Sequence, residues 1–274
     1  MPSIPKKVAS RLAVGLKRFQ PIISSARARD VNESDTVVIV TDLLSELFGY
    51  DKYTEITTEH AIRGTYCDLA ITIEGKIRFI IEVKAIGLDL RDTHVKQAVD
   101  YAANQGTEWA ILTNGMIWKV LHVSFGRPIS QELVCELDLL SLNPRNSDDV
   151  ESVYVLTREG LLKSALIDYH TQRQATNRFL LGALLLSEPV LKVVRRELRR
   201  LSPDVKTQLR EIRTALSQEV LKREVVEGDK ANQAARQVKQ SNKKQLRTRK
   251  SKTTQQKGVA HPESDVSTDV TGED

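Results

Sequence analysis

The stretch Tyr66 to Ala85, YCDLAITIEGKIRFIIEVKA, constrains this chain more than any other. It reads as two β-strands and a short turn. Tyr66 to Ile73 alternates apolar and polar residues, and Ile77 to Val83 is rich in Ile, Val and Phe. Between them Glu74-Gly75-Lys76 has turn composition. Strand side chains repeat every two residues, so Glu82 and Lys84 share a face. Asp68 joins them only in one register. A two-residue loop, with Ile73 facing Lys76, sets Asp68 opposite Ile81 and away from Glu82. A three-residue loop, with Ile73 facing Ile77, sets Asp68 opposite Glu82. We adopt the three-residue loop, with Gly75 or a neighbour left-handed.

In that register two carboxylates and one ammonium crowd one strand end. Neighbouring carboxylates repel unless a cation lies between them. Oxygen ligands suit a hard cation such as Mg2+, which keeps waters and binds phosphate oxygens. A lysine beside it can orient a water or offset charge on an attacked phosphate. Spacing alone does not separate this kit from an exposed cross-strand ion pair, because acid-x-Lys also occurs at Glu74-Gly75-Lys76 and Asp204-Val205-Lys206.

The surrounding chain alternates helical and strand patterns. Residues 4–27 have apolar positions near helical spacing with basic residues between, which suits either a phosphate-touching arm or a packed amphipathic helix. A second helix, capped by Ser34 or Asp35, carries an apolar face from Val38 to Phe48, ends at Gly49 and places Glu46 on its polar side. Tyr53 to Ile62 reads as a strand, followed by a turn at Arg63-Gly64; His60 and Arg63 are candidates to line a cleft. A helix over 93–104, capped by Asp92 or Thr93, sets Gln97 and Tyr101 four apart on one face. Trp109 to Thr113 and Ile117 to Val123 are strands joined at Asn114-Gly115. Residues 129–142 have mixed periodicity and no firm assignment. From Thr157 the pattern predicts four helices, over 157–172, 175–186, 188–200 and 203–225, with Ser187 and Ser202 as caps. The segment KVVRRELRR, Lys192 to Arg200, suits a phosphate backbone or a solvated face.

Composition bounds the function. Two cysteines, Cys67 and Cys135, offer neither a disulfide framework nor zinc spacing, and a cytoplasmic protein is expected. The longest apolar run, Phe179 to Leu186, is too short for a membrane span, and no signal peptide is read. There is no GxxxxGK[ST] loop, so no nucleotide-driven motor is expected. The net charge of +5 equals that of residues 230–274 alone, which hold ten Lys/Arg and five Asp/Glu. From Gly228 the sequence reads as a disordered tail, basic and then acidic. Its Lys243, Lys244, Arg247, Arg249 and Lys250 are the candidate nucleic-acid contacts.

Asp68, thirteen intervening residues and then Glu82-Val83-Lys84 resemble the PD-(D/E)xK nuclease motif, with Cys67 in place of the proline. More narrowly, IEVKAIGLDL through QAVDYAANQGTEWAILTNGMIWKV resembles the N-terminal nuclease domain of type I restriction enzyme R subunits. The resemblance covers roughly Val37 to Val123. It implies an α/β, restriction-endonuclease-like core over residues 1–145, with a mixed central sheet flanked by helices. A C-terminal all-helical region over 150–227 and the disordered tail over 228–274 would follow. It implies Mg2+- or Mn2+-dependent hydrolysis of DNA. Asp68, Glu82 and Glu46 would hold the metal, with Lys84, Gln97 and Tyr101 beside them at the catalytic centre. DNA and restriction-system proteins are the implied partners, with oligomerisation left open. A non-catalytic DNA-binding adaptor on the same fold is the alternative.

Overall fold

The computed structural model describes residues 4–62 and 64–257, and for Thr65 and residues 245–257 the backbone alone. The chain divides into two compact units, Met1–Arg173 and Gln174–Asp274.

The first unit is built on one six-stranded sheet in the order β1-β2-β3-β4-β5-β6. Its strands are β1 (Ile56–Ile62), β2 (Thr65–Ile73), β3 (Lys76–Val83), β4 (Trp109–Thr113), β5 (Ile117–Ser124) and β6 (Ser130–Asp138). β3 and β4 pair in parallel and every other pair is antiparallel. Parallel neighbours need a crossover, here α3 (Asp92–Gln105). The other helices are α1 (Lys6–Ala28), α2 (Glu33–Asp42), α4 (Ser147–Tyr154), α5 (Arg158–Leu162) and α6 (Ala165–Ala175).

Alternation along the strands splits the core into two layers. Leu69, Ile71, Phe79, Ile81, Val83 and Trp118 pack with Leu12, Leu16 and Phe19 of α1 and Val40 of α2. On the opposite face Ala70, Ile80, Ala110 and Leu112 pack with Ala98, Val99 and Ala102 of α3. The first helix therefore follows the packed reading rather than that of a phosphate-touching arm. Arg11 and Arg18 on it are spent on protein partners, Glu159 and Glu46.

The turn between β2 and β3 differs from expectation, yet the register does not. Ile73 faces Lys76 across a two-residue loop, with φ of 52° at Glu74 and 72° at Gly75. Two successive positive φ values match the twist of a tight hairpin. The shift comes further along. Thr72 pairs with Ile77 but Ile71 with Phe79, so Arg78 is the extra residue of a bulge. Beyond it Leu69 faces Ile81, the register of the three-residue alternative.

α2 runs directly into one π turn, Leu43–Leu47, where the amide of Phe48 reaches the carbonyl of Leu43 at 3.0 Å. Such an end leaves carbonyls without helical partners. Arg11 supplies them, donating from Nε to the Leu47 carbonyl and from Nη2 to that of Phe48, both at 3.2 Å. The same guanidinium grips both carboxylate oxygens of Glu159 at 2.7 and 2.6 Å. Phe48 meets Trp118 edge to face at 4.9 Å between ring centres.

Several boundaries move. Residues 130–138 form β6, whose exposed outer positions blurred the alternation. The first unit does not end at the loop before residue 150, because Val150, Val153, Tyr154, Leu156, Ala165 and Leu166 belong to its core. Asn32, not Ser34 or Asp35, caps α2 by accepting from the Asp35 amide. Arg91 occupies the cap position of α3, its amide donating to Nδ1 of His94 at 3.2 Å.

The second unit is helical, with α7 (Arg178–Leu185), α8 (Glu188–Leu201), α9 (Leu209–Ala215), α10 (Arg223–Val226) and α11 (Asp229–Lys257). α9 ends in a π turn, Leu216–Val220. The expected helix over 203–225 is therefore broken into pieces, and residues 202–208 are irregular. Nor is the expected disorder from 228 found across 229–257, which is helical. Ala231, Ala234 and Val238 recur at helical spacing and are buried, and α11 packs on α7. Three small apolar residues in a polar run leave little compositional trace. The acidic end, 258–274, lies outside the described residues. Among those described, no helix is long and apolar enough to cross a membrane.

Trp118 is fully buried and its indole N–H reaches the Gly115 carbonyl. Trp118→Ala should cost about 3–5 kcal/mol, read as a lower urea midpoint at unchanged slope.

Candidate functional site

The carboxyl end of β3 is where the sheet stops and chemistry can begin. Val83 makes the last parallel pairing, with Thr113, and the Lys84 amide still donates to the Thr113 carbonyl at 2.8 Å. After Lys84 the chain leaves the sheet for a loop that leads into α3. In open α/β sheets such strand ends carry ligands, because backbone groups and side chains there face solvent together.

Asp68 and Glu82 are brought together at this end. Continuing the register by one residue from Leu69 and Ile81 sets them opposite each other. The Val83 amide donates to Oδ2 of Asp68 at 2.7 Å, which fixes that carboxylate against β3. Lys84 donates from Nζ to Oε1 of Glu82 at 2.6 Å. Glu82 is only 2 % exposed and Lys84 9 %. By alternation Glu82 lies on the Ile80 face, the one that α3 covers.

A third carboxylate joins from an unforeseen place. Glu33, in the first turn of α2, lies 3.7 Å from the Lys84 ammonium and is half exposed. Glu46, thirteen residues on and expected here, is instead ion-paired with Arg18 on α1. Glu46 lies within the π turn, Leu43–Leu47, while Glu33 opens α2, so the two carboxylates meet different surroundings. Glu33 was legible only as an acidic residue in a first turn, a common helix-start feature.

Gln97 and Tyr101 share a face of α3, as their spacing requires, and Gln97 donates from Nε2 to the Tyr101 hydroxyl at 3.3 Å. Both are half-buried on the helix that covers the Glu82 face. Among the described residues neither hydrogen-bonds Asp68, Glu82 or Lys84. His60 lies opposite Cys67 on β1, and Arg63 lies outside the described residues. Lys243 and Lys244 are exposed on α11. The side chains of Arg247, Arg249 and Lys250 lie outside the described residues.

Asn114 is a second residue the sequence reading missed in this role. It is buried, donates from Nδ2 to the carbonyls of Ile86 at 3.3 Å and Leu88 at 3.0 Å, and accepts from the amides of Met116 and Ile117. Its side chain thus clamps the loop that follows Lys84. Its Asn-Gly signature concealed this, because that pair serves equally well as a plain turn.

The electrostatics follow from the burial. Burial pushes the Glu82 carboxyl up to about 7; the Lys84 hydrogen bond opposes this and the Asp68 charge adds to it. Burial also raises Asp68, against the Val83 amide and the Lys84 charge. Burial works against the Lys84 ammonium, but the Glu82 hydrogen bond and the charges of Glu82, Glu33 and Asp68 outweigh it, so its pKa is raised. Lys84 is therefore a cation at neutral pH, able to donate a proton-bearing contact but not to take a proton.

Two adjacent carboxylates with raised pKa values fit a hard divalent cation, which would relieve their repulsion. Among the described residues no three His, Cys, Asp or Glu converge as a closed metal cage. A two-carboxylate set leaves positions for water, which suits Mg2+ better than zinc.

The sign of the pH effect is definite. Glu82 and Asp68 hold protons more tightly in the folded chain than in the unfolded one. Their favourable contribution is complete below the ordinary carboxylate values and is lost as pH rises, for Glu82 through about 7. In EDTA the melting temperature should fall between pH 5 and pH 8, by roughly 3 kcal/mol of stability from Glu82. Glu82→Gln should flatten most of that decline, and added Mg2+ should raise the wild type at pH 8 but not the variant. A flat wild-type profile would contradict this electrostatic picture.

Residues 39–134 match the profile of the family described as type I restriction enzyme R protein N terminus. The match spans β1 to β6 up to Val134 and includes Asp68, Glu82, Lys84, Gln97 and Tyr101, while Glu33 lies outside it. No curated protein and no solved structure matches the chain. The mixed six-stranded sheet with flanking helices agrees with that match, so residues 39–134 are similar to the N terminus of type I restriction enzyme R proteins and are consistent with a restriction-endonuclease-like fold.

Proposed function

We infer that the chain hydrolyses phosphodiester bonds of DNA with the help of Mg2+ or Mn2+. The observation that carries this is the convergence of Asp68, Glu82 and Lys84 at the carboxyl end of β3. Asp68 and Glu82 would hold the cation, which supplies charge stabilisation at the phosphoryl oxygens when bound. Glu82 would have to lose its proton to hold the cation, so cutting should rise with pH through about 7.

Lys84 is placed to exchange its Glu82 contact for a water or a phosphate oxygen. As a cation it offsets charge that builds on phosphorus-bound oxygens during in-line attack by water. A phosphorus–oxygen bond forms to the attacking water, whose proton passes to bulk solvent, while the bond to the leaving sugar breaks and the leaving oxygen takes a proton from solvent. Glu33 steers Lys84 from the far side, while Gln97 and Tyr101 supply polar groups on the covering helix. Restriction-system proteins are the partner class that the family match supports.

Plasmid and linear DNA cleavage, with and without Mg2+ or Mn2+, tests the reading. Asp68→Ala and Lys84→Ala should each lower the rate at least 100-fold, the scale of one lost electrostatic stabiliser. Metal-dependent cutting that persists in Asp68→Ala would overturn the assignment. Wild-type binding without cutting would favour the adaptor alternative. Glu33 and Glu46 divide a further outcome. Glu33→Gln should weaken cutting more than Glu46→Gln, because Glu33 faces Lys84 whereas Glu46 faces Arg18.

A further inference from the structure

The two units differ sharply in charge. Residues 1–173 hold 20 Lys/Arg and 23 Asp/Glu, whereas residues 174–257 hold 21 and 8. On α8 the cations are of two kinds. Lys192, Arg196 and Arg200 are neutralised by Glu188 and Glu197 at 2.7–2.9 Å. Arg195 and Arg199, one turn apart, have no carboxylate partner among the described residues.

Those two arginines border a cleft of about 850 Å3. Its other wall is the irregular segment that leads into α9, with Lys206, Thr207 and Gln208, and the first turn of α9, with Arg210. No carboxylate lines it. The nearest ones in sequence are Asp204 and Glu211, and Glu211 is occupied in capping α9, accepting from the Gln208 amide at 2.9 Å. Four cations around one recess repel one another and leave an excess of positive charge there. Arginine forks, a lysine and the amide and hydroxyl groups of Gln208 and Thr207 are together the donor set that phosphate oxygens accept from.

We propose that this cleft, formed by Arg195, Arg199, Lys206 and Arg210, is a phosphate-binding site for a nucleic-acid backbone. Contacts of this type carry no sequence information; they hold and orient the strand. The α8 segment thereby takes the first of the two readings its sequence allowed. The cleft's role rests on the phosphodiester substrate inferred above, but it needs neither metal nor Asp68.

The test is anisotropy of a labelled DNA duplex with the full chain in EDTA, across a salt series. Arg195→Ala/Arg199→Ala should weaken binding about tenfold and lower the salt slope by about 2, near 0.9 per lost phosphate contact. Lys206→Ala/Arg210→Ala should do the same. Arg196→Ala/Arg200→Ala removes equal charge from the same helix and should leave the slope unchanged. Arg195→Lys/Arg199→Lys, which keeps the charge, should keep most of the slope and report that the fold is intact. Equal losses from both alanine pairs on α8, or none from either, would overturn the site. An RNA duplex distinguishes the two sources of backbone, and binding of either supports the site. Capture by anionic vesicles with no binding of DNA or RNA would overturn it in favour of a lipid surface. Because no cutting is read, a failed nuclease reading and a failed cleft give different patterns.

Discussion

Glu82 is a carboxylate almost sealed from water, beside a second carboxylate, and the Lys84 ammonium is what makes this tolerable. Burying one acid would raise its pKa and neutralise it. Burying two beside a cation holds them poised between protonation and ion pairing. Lys84 can reach Glu82 because the two lie two residues apart at a strand end, on one face. That geometry in turn needs β3 to be an inner strand, bonded on one side to β2 and on the other to β4. An edge strand would expose Glu82 and release the strain that suits it to a cation.

The same dependence explains the unusual features around the site. The Arg78 bulge is needed because a two-residue hairpin would otherwise turn Asp68 to the wrong face. Asn114 matters because the loop after Lys84 has no ladder to hold it, and its side chain supplies the missing bonds. Glu33 reaches Lys84 only because α2 starts beside that strand end. Arg11 closes the other end of the same helix, through the π turn, and ties it to α5 by Glu159. Each device corrects one consequence of putting charge where a sheet ends.

Much of this was legible in the chain, and what was not has a physical reason. Asp68, Glu82 and Lys84 could be read because alternation fixes faces, and the register came out as adopted. The loop did not: Glu74 at positive φ hides in a residue type that rarely adopts it, and the compensating bulge leaves no mark in composition. Glu46 looked right because the sequence sets it on the polar side of the second helix, but a helix face names a direction, not a partner, and in the π turn Arg18 on α1 claims it. β6 and α11 escaped for the opposite reason. In β6 an exposed Leu133 beside buried Val134, Cys135 and Leu137 hides the alternation, and in α11 the buried residues are few and small.

Charge distribution follows the same division of labour. The first unit is on balance acidic, and an acidic surface repels a phosphate backbone. On the function proposed above, such a substrate would have to be held by cations placed elsewhere in the chain. The helical unit carries that excess, and α8 spends it selectively, pairing three cations with carboxylates and leaving two at a recess. Paired surface cations add little to affinity for a polyanion, since each contact made must first break one already present. Unpaired cations grouped at one recess avoid that cost, so on the proposal above the same helix carries cations held by carboxylates beside cations available to a strand.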